Sequence, residues 1–210
     1  MRIAIIGTGN VGTALARGLK GKGHDITIGA RDMAAARPVA LAQDTGAALA
    51  HPSDAARQSD IVILALPWAA AKEAIASLGD LAGKIVIDCM NPLGMVDGAL
   101  GLTIGHTTSG GETVQNWLPK AHVVKTLNQV GAEIMADNAR LPHRPAMFMA
   151  GNDEAAKTTV ASVLKELGLD ALDAGTITQA RILEPFAMVW INQAILRGKG
   201  RGWAFAALEG

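Results

Sequence analysis

The sequence predicts an α/β protein: a doubly wound, mostly parallel sheet followed by a small C-terminal α/β extension. Three observations carry that expectation. Short apolar runs alternate with longer Ala- and Leu-rich segments along most of the chain, the rhythm of strand and crossover helix. The runs at 2–6, 61–65, 84–88 and 122–126 are rich in Ile or Val, as strands buried on both faces usually are. Half of the 210 residues are apolar and only 18% are charged, so the chain can fill a sizeable core and is the opposite of a disordered composition.

Taken in order, strands are expected at 2–6, 25–28, 61–65, 84–88, 122–126 and 146–150, with helices at 11–22, 33–43, 69–78 and 112–118. Gly21-Lys22-Gly23 offers a left-handed cap to end the first helix. Asp32 stands where the N-cap of the second belongs. The stretch 93–111 holds six glycines and a Thr107-Thr108-Ser109 cluster, and reads as a functional loop or lid because it is too long for an ordinary connection. Asp153 then opens a helix over 154–167, stopped by Gly168, and a short strand at 170–173 is broken by Gly175. A long helix over 177–196 follows, with a kink or break expected at Glu184-Pro185. A soft boundary near Gly151 divides the chain into a first domain, 1–150, and an extension, 151–210.

The charge balance, 19 Lys+Arg against 19 Asp+Glu, argues against nucleic acid as a partner, because no basic excess is available to neutralise phosphates. A single cysteine, Cys89, builds no internal disulfide, and reads as a buried inert thiol in a reducing compartment. The longest apolar stretch, 61–71, falls short of the ~20 residues of a membrane span. The expected setting is therefore cytoplasmic, with no membrane contact. The five histidines lack metal-ligand spacing. His106 reads first as a polar loop residue and second as part of a closing cleft.

Gly7-Thr8-Gly9-Asn10-Val11-Gly12 follows the first strand and opens the first helix. In that setting the pattern is the dinucleotide fingerprint of a Rossmann-type domain: Gly7 for the tight turn, Gly9 for close approach of a pyrophosphate, Gly12 for helix–strand packing. The plainer alternative is a tight strand–helix turn with no ligand. About 20 residues on, a carboxylate would hold the ribose 2′-OH of NAD, but the second strand ends Gly29-Ala30-Arg31. Arg31 presents a charged fork to a 2′-phosphate, with small Gly29 and Ala30 leaving room, so NADP(H) is the expected cofactor. Arg37 reads equally as added charge or as a solvated helix residue. Leu66-Pro67-Trp68 and Asn91-Pro92 lie beyond the ends of later strands, where ligands of such sheets sit.

These residues, with Ile63-Leu64-Ala65 before Leu66, Val123-Val124-Lys125-Thr126-Leu127-Asn128, Leu172-Asp173-Ala174-Gly175 and Ala180-Arg181-Ile182-Leu183-Glu184, give the chain a resemblance to the F420-dependent NADP oxidoreductases. These NADPH-dependent enzymes reduce the deazaflavin coenzyme F420. It also resembles the related cytosolic domain of membrane ferric reductases. The resemblance runs collinearly through nearly the whole chain. It implies a homodimer and direct hydride transfer between NADPH and a flavin-like ring. It also implies that Thr8, Asn10 and Val11 belong to the pyrophosphate loop, Arg31 to the 2′-phosphate site, Pro67 and Trp68 to the cofactor cleft, and Asn128 and Val130 to the nicotinamide surroundings. The chain departs from the family's archetype in having Ala30 for Ser, Ala35 for Lys and Asn128 for His.

No residue is assigned a catalytic role or a metal. A hydroxy-acid dehydrogenase needs a proton donor, whereas hydride transfer onto a flavin-type ring (F420, FMN or FAD) can rely on the cofactor's own chemistry. The competing readings are a reductase of a small carbonyl or imine, with its donor in 101–116, and an NADPH-binding sensor without turnover. The basic tip Arg197, Lys199 and Arg201 reads as helix-dipole compensation, or else as a site for an acceptor's acidic tail.

Overall fold

The structure, a computed structural model, describes residues 1–208 and Gly210. Its central sheet takes β1 (Arg2–Ile6), β2 (Asp25–Gly29), β3 (Ala48–Ala50), β4 (Ile61–Leu64), β5 (Ile85–Asp88), β8 (His122–Lys125), β9 (Ala146–Gly151) and β10 (Asp170–Asp173). β6 (Leu93–Val96) and β7 (Ala99–Leu102) form a separate hairpin. The strand order is β10-β9-β8-β5-β4-β1-β2-β3. From β3 to β8 every pairing is parallel, and the order is that of a Rossmann sheet, reversing between β1 and β4. β9 then pairs antiparallel with β8, and β10 parallel with β9.

Alternation along the strands builds two cores. Ile3, Ile5, Ile61, Ile63, Ile87 and Val124 pack with Leu15 of α1 (Asn10–Gly18), Ile134 of α6 (Ala132–Ala136) and Leu164 of α7 (Glu154–Glu166). Ala4, Ile6, Val62, Leu64, Val86 and Val123 point the other way, against Ala55 of α3 (Pro52–Gln58), Ile75 of α4 (Trp68–Ala76) and Val114 of α5 (Gly110–Trp117). Each strand residue is thus buried on one face or the other, which is why these runs read as uninterrupted Ile and Val.

Several boundaries differ from expectation. β3 and α3 were not anticipated: Ala48-Leu49-Ala50 carries little β signal, and its partners on β2 impose the strand. α1 ends at Gly18, four residues early, and Gly21 and Gly23, at φ +73° and +78°, shape the turn beyond it. α2 (Ala36–Thr45) starts late. Asp32 does not cap it but accepts the Ala34 N–H at 2.9 Å, closing a turn before the helix. The expected loop over 93–111 contains the β6–β7 hairpin, whose turn residues Asp97 and Gly98 both have positive φ (50° and 78°), as a two-residue hairpin turn requires. The helix at the chain's end is in three parts: a 3-10 turn (Ile177–Gln179), α8 (Ala180–Ile191) and a π-helical segment (Asn192–Leu196). Pro185 does not break α8; burial of Leu183, Ala187, Trp190 and Ile191 holds the helix through it. Among the described residues no helix is long and apolar enough to cross a membrane.

A buried ion network fastens α5 and α8 to the sheet. Lys125, at the end of β8, lies 3.1 Å from Asp88 and 3.0 Å from Glu184, with the three side chains 0%, 0% and 1% exposed. Its ammonium also donates to the Met90 carbonyl. Glu184 in turn accepts the N–H groups of Gly110 and Gly111, both at 2.9 Å, and so closes the start of α5. Burial, the largest single influence, pushes the Lys125 ammonium down, but the two carboxylates outweigh it and the net shift is upward. Lys125→Met leaves two carboxylates buried without a counter-ion. The expected loss is about 3–5 kcal/mol, read from urea unfolding midpoints.

Candidate functional site

The C-terminal ends of β1, β2, β4 and β5 gather the predicted residues at one edge of the sheet. Gly7 has φ +115°, and a Cβ there would stand 2.3 Å from the Ala65 carbonyl oxygen. A Cβ on Gly12 would stand 1.9 Å from the Gly7 carbonyl oxygen. Both glycines are therefore demanded by the fold itself. Gly9 is different. Its φ is −69°, open to any residue, and a Cβ there meets nothing within 4 Å. It is the N-cap of α1, supplies no side-chain cap, and no acidic residue lies in the first turn. Among the described residues the N–H groups at this helix start have no side-chain acceptor, an arrangement suited to a phosphate anion.

Thr8 and Val11 flank this opening half-buried, while Asn10 is exposed. At the end of β2, Ala30 is buried and donates its N–H to Ala50 at 3.0 Å. Gly29 does not leave free room as expected: a Cβ there would lie 2.7 Å from Ile6 Cδ1 and 3.2 Å from Pro52 Cα, so its small size lets α3 approach β2. Arg31 is exposed and, among the described residues, makes no ion pair and no side-chain hydrogen bond. Arg37, in the first turn of α2, reaches the Asn10 amide oxygen at 3.1 Å.

Beyond β4, Pro67 is exposed and caps α4, and the Trp68 indole stacks on Trp117 of α5 with centroids 5.6 Å apart. Beyond β5 and β8, Asn91 and Asn128 clasp one another. Asn91 Nδ2 donates to the Asn128 carbonyl and Asn128 Nδ2 to Asn91 Oδ1, each at 2.9 Å. Asn128 Nδ2 also donates to the Leu183 carbonyl at 3.4 Å, and its Oδ1 accepts from Gln129 at 2.9 Å. Its amide is engaged internally on both atoms, and Val130 packs into the core beside Leu127 and Ala132. Leu127, buried at φ +59°, holds a conformation that costs a non-glycine residue about 1–3 kcal/mol. Pro92 is buried, and its carbonyl accepts the Thr103 N–H at 2.8 Å and the Thr103 hydroxyl at 3.0 Å.

A cleft of about 730 Å³ opens beside that contact, between the 102–106 segment and the start of α8, lined by Leu102, Thr103, His106, Thr178, Arg181 and Ile182. Its size is that of a site for a medium-sized organic ligand. His106 is exposed on its rim at φ +58°. Arg181 forks onto Glu112 at 2.8 and 2.6 Å, and this guanidinium holds the Glu112 carboxyl below the ordinary range. Ser109 caps the start of α5: its Oγ accepts the Glu112 N–H at 3.1 Å, and its hydroxyl donates to Glu112 Oε2 at 2.8 Å. Cys89 is buried, and burial pushes its thiol up, reinforced by Asp88. The basic tip is engaged elsewhere: Lys199 stands over the Trp203 ring and Arg201 pairs with Glu133. Among the described residues no group of three His, Cys, Asp or Glu is placed to hold a metal.

Residue patterns missed two features here. The Asp88–Lys125–Glu184 network escaped notice because its members lie far apart in sequence. A charge closing each of two Ile/Val runs, and a carboxylate on an apolar helix face, were its visible traces. Ser109-Gly110-Gly111-Glu112 carried the capping-box spacing, masked by a glycine-rich surround that reads as loop.

The family described as coenzyme F420-dependent NADP oxidoreductase matches residues 2–92. The F420-dependent NADP reductase of Methanocaldococcus jannaschii is 32% identical over 224 aligned residues, spanning 100% of both chains. Metalloreductase STEAP3 of Rattus norvegicus is 27% identical over 87% of this chain, which corresponds to 36% of its own length. Among solved structures, one from Arthrobacter sp. FB24 described within the F420-dependent NADP reductases superposes with a TM-score of 0.90 at 37% identity, covering 100% of both chains. A reductive aminase of Aspergillus terreus solved with NADPH has a TM-score of 0.68 at 20% identity, over 94% of this chain and 63% of its own, and shares the fold.

The two glycines make separable predictions. Gly12→Ala drives a methyl group into the Gly7 carbonyl and should cost about 3 kcal/mol or more in urea unfolding. Gly9→Ala should stay within about 1 kcal/mol of the wild type, since only an N-cap changes, yet should weaken dinucleotide binding in a fluorescence titration. Undiminished binding by Gly9→Ala would remove the argument for a phosphate at that position.

Proposed function

The chain belongs to the F420-dependent NADP oxidoreductases, and we propose that it transfers hydride between NADPH and a flavin-type acceptor, with F420 the preferred partner. One observation carries the reading: Gly9, a glycine the fold does not need, opens an uncapped helix N-terminus one strand away from Arg31, a cation with no partner among the described residues. The residues present fit a phosphorylated dinucleotide. The N–H groups following Gly9 would hold the pyrophosphate, and Arg31 would pair with the 2′-phosphate. Gly7, Thr8, Asn10, Val11 and Gly12 shape that loop, and Ala30 sets the backbone from which Arg31 projects.

Leu66 and Pro67 beyond β4, with Asn91 and Pro92 beyond β5, form the floor on which the nicotinamide would lie. Trp68 supports that floor through Trp117. Asn128 and Val130 act from beneath it: Asn128 fixes the spacing of the β5 and β8 ends through Asn91 and Val130 fills the core. When bound, the nicotinamide supplies hydride chemistry, and the protein contributes alignment and exclusion of water. The cleft between 102–106 and α8 adjoins Pro92 through Thr103, and is the proposed seat of the acceptor ring. Leu102, Ile182 and Pro185 give it apolar surface for a ring to lie against, while His106, Thr103 and Thr178 supply polar contacts. The outer face of α8 and the π segment leaves Ile182, Val189, Ile195 and Leu196 exposed by 58%, 50%, 51% and 59%. That stripe supports a homodimer as the working form.

Steady-state NADPH oxidation with F420, FMN, FAD and small carbonyls tests the acceptor, and F420 should give the highest kcat/KM. A small carbonyl that outperforms every ring acceptor would overturn this reading. Arg31→Ala should weaken NADPH by about 1.5–3 kcal/mol, the range of a hydrogen bond to a charged group, with NADH nearly unchanged. Equal losses for both dinucleotides would contradict the 2′-phosphate assignment.

A further inference from the structure

Arg37 stands where its own helix disfavours it. It is the second residue of α2, whose N-cap Ala35 provides no side-chain cap and whose first turn contains no acid. A cation at that end opposes the helix dipole. Among the described residues it pairs with no carboxylate: Asp32 accepts the Ala34 N–H, and Asp44 pairs with Arg17 and Lys20. Its recorded partner is a neutral one, the Asn10 amide oxygen at 3.1 Å, across 27 positions of sequence. A neutral acceptor orients the guanidinium without cancelling its charge.

Asn10 is the first residue of α1, immediately after Gly9. The Arg37 guanidinium therefore links the starts of α1 and α2, the helices that follow the two turns between which an adenosine ribose lies in this fold. Arg31 adds a second cation at the same edge. Two guanidinium groups and an uncapped helix start concentrate positive charge there, and among the described residues neither guanidinium is paired with a carboxylate. We infer that Arg37 is a second cation for the ribose 2′-phosphate, pre-oriented by Asn10, and that it sets the preference for NADPH over NADH jointly with Arg31. This rests on the dinucleotide site proposed above.

Calorimetric titration of the full chain with NADPH and with NADH, at one fixed ionic strength, tests it. Arg37 is exposed, so Arg37→Ala should fold normally and raise the Kd for NADPH by about tenfold, a partly screened charge-assisted contact. NADH should change by no more than about twofold, the usual effect of a surface substitution. Arg37→Gln keeps a donor for Asn10 but not the charge, and should behave like Arg37→Ala. An unchanged NADPH-to-NADH ratio, equal losses for both, or full recovery by Gln would overturn the inference, leaving Arg37 as a tie between α1 and α2. A wild-type chain that shows no preference for NADPH would instead defeat the underlying site, before any Arg37 variant is compared.

Discussion

Between Ile6 and Asn10 the chain passes from a buried strand into a helix through a turn that has no room for side chains. The Gly7 α-carbon lies against the Ala65 carbonyl, and the Gly12 α-carbon lies against the carbonyl of Gly7. This contact brings the start of α1 down onto the ends of β1 and β4, where the strand order reverses. A parallel sheet leaves the two strands diverging there, and their following loops on opposite faces, so a crevice is unavoidable. The glycines set how close the helix N-terminus comes to that crevice. The proposed dinucleotide site depends on that distance.

The opposite wall is held by charge rather than by close approach. Lys125 joins Asp88 and Glu184 in a site with no exposure to water, and Glu184 closes the start of α5. A network of this kind contributes little net stability over an apolar filling, but breaking it is costly because each remaining charge is stranded. Its geometric effect is to fix α8, α5 and the ends of β5 and β8 with respect to one another. The Asn91–Asn128 clasp and the strained Leu127 backbone lie directly above it in sequence and space. The proposed acceptor cleft and the proposed nicotinamide floor would thus share one support, as a hydride donor and acceptor held at short range require.

The sheet was legible wherever burial on both faces produced runs of Ile and Val, as at Ile3–Ile6 or Ile61–Leu64. β3 was not, because Ala48-Leu49-Ala50 becomes a strand only through its pairing with β2. The glycine loop was readable from its context, and the fold-level reasons for Gly7 and Gly12 match the structure. Gly29 shows the limit of that reasoning: its small size serves Pro52 of α3, a helix that the pattern did not reveal. The Asp97-Gly98 hairpin turn and the Ser109 N-cap of α5 were present as local signals, yet the density of glycines between them read as loop. Contacts such as Arg37 with Asn10, or Lys125 with Glu184, join residues that no local spacing relates. They become visible only once the sheet brings its strand ends together.

Phosphorus NMR of bound NADP offers the most direct measurement of the central claim, that this edge of the sheet grips a phosphorylated ribose. A phosphate monoester ordinarily loses its second proton at about pH 6. Guanidinium groups favour the dianion, so the 2′-phosphate resonance of the complex should titrate at a clearly lower pH than that of free NADP. A resonance that titrates as in free solution, with the pyrophosphate signals also unshifted, would contradict the account.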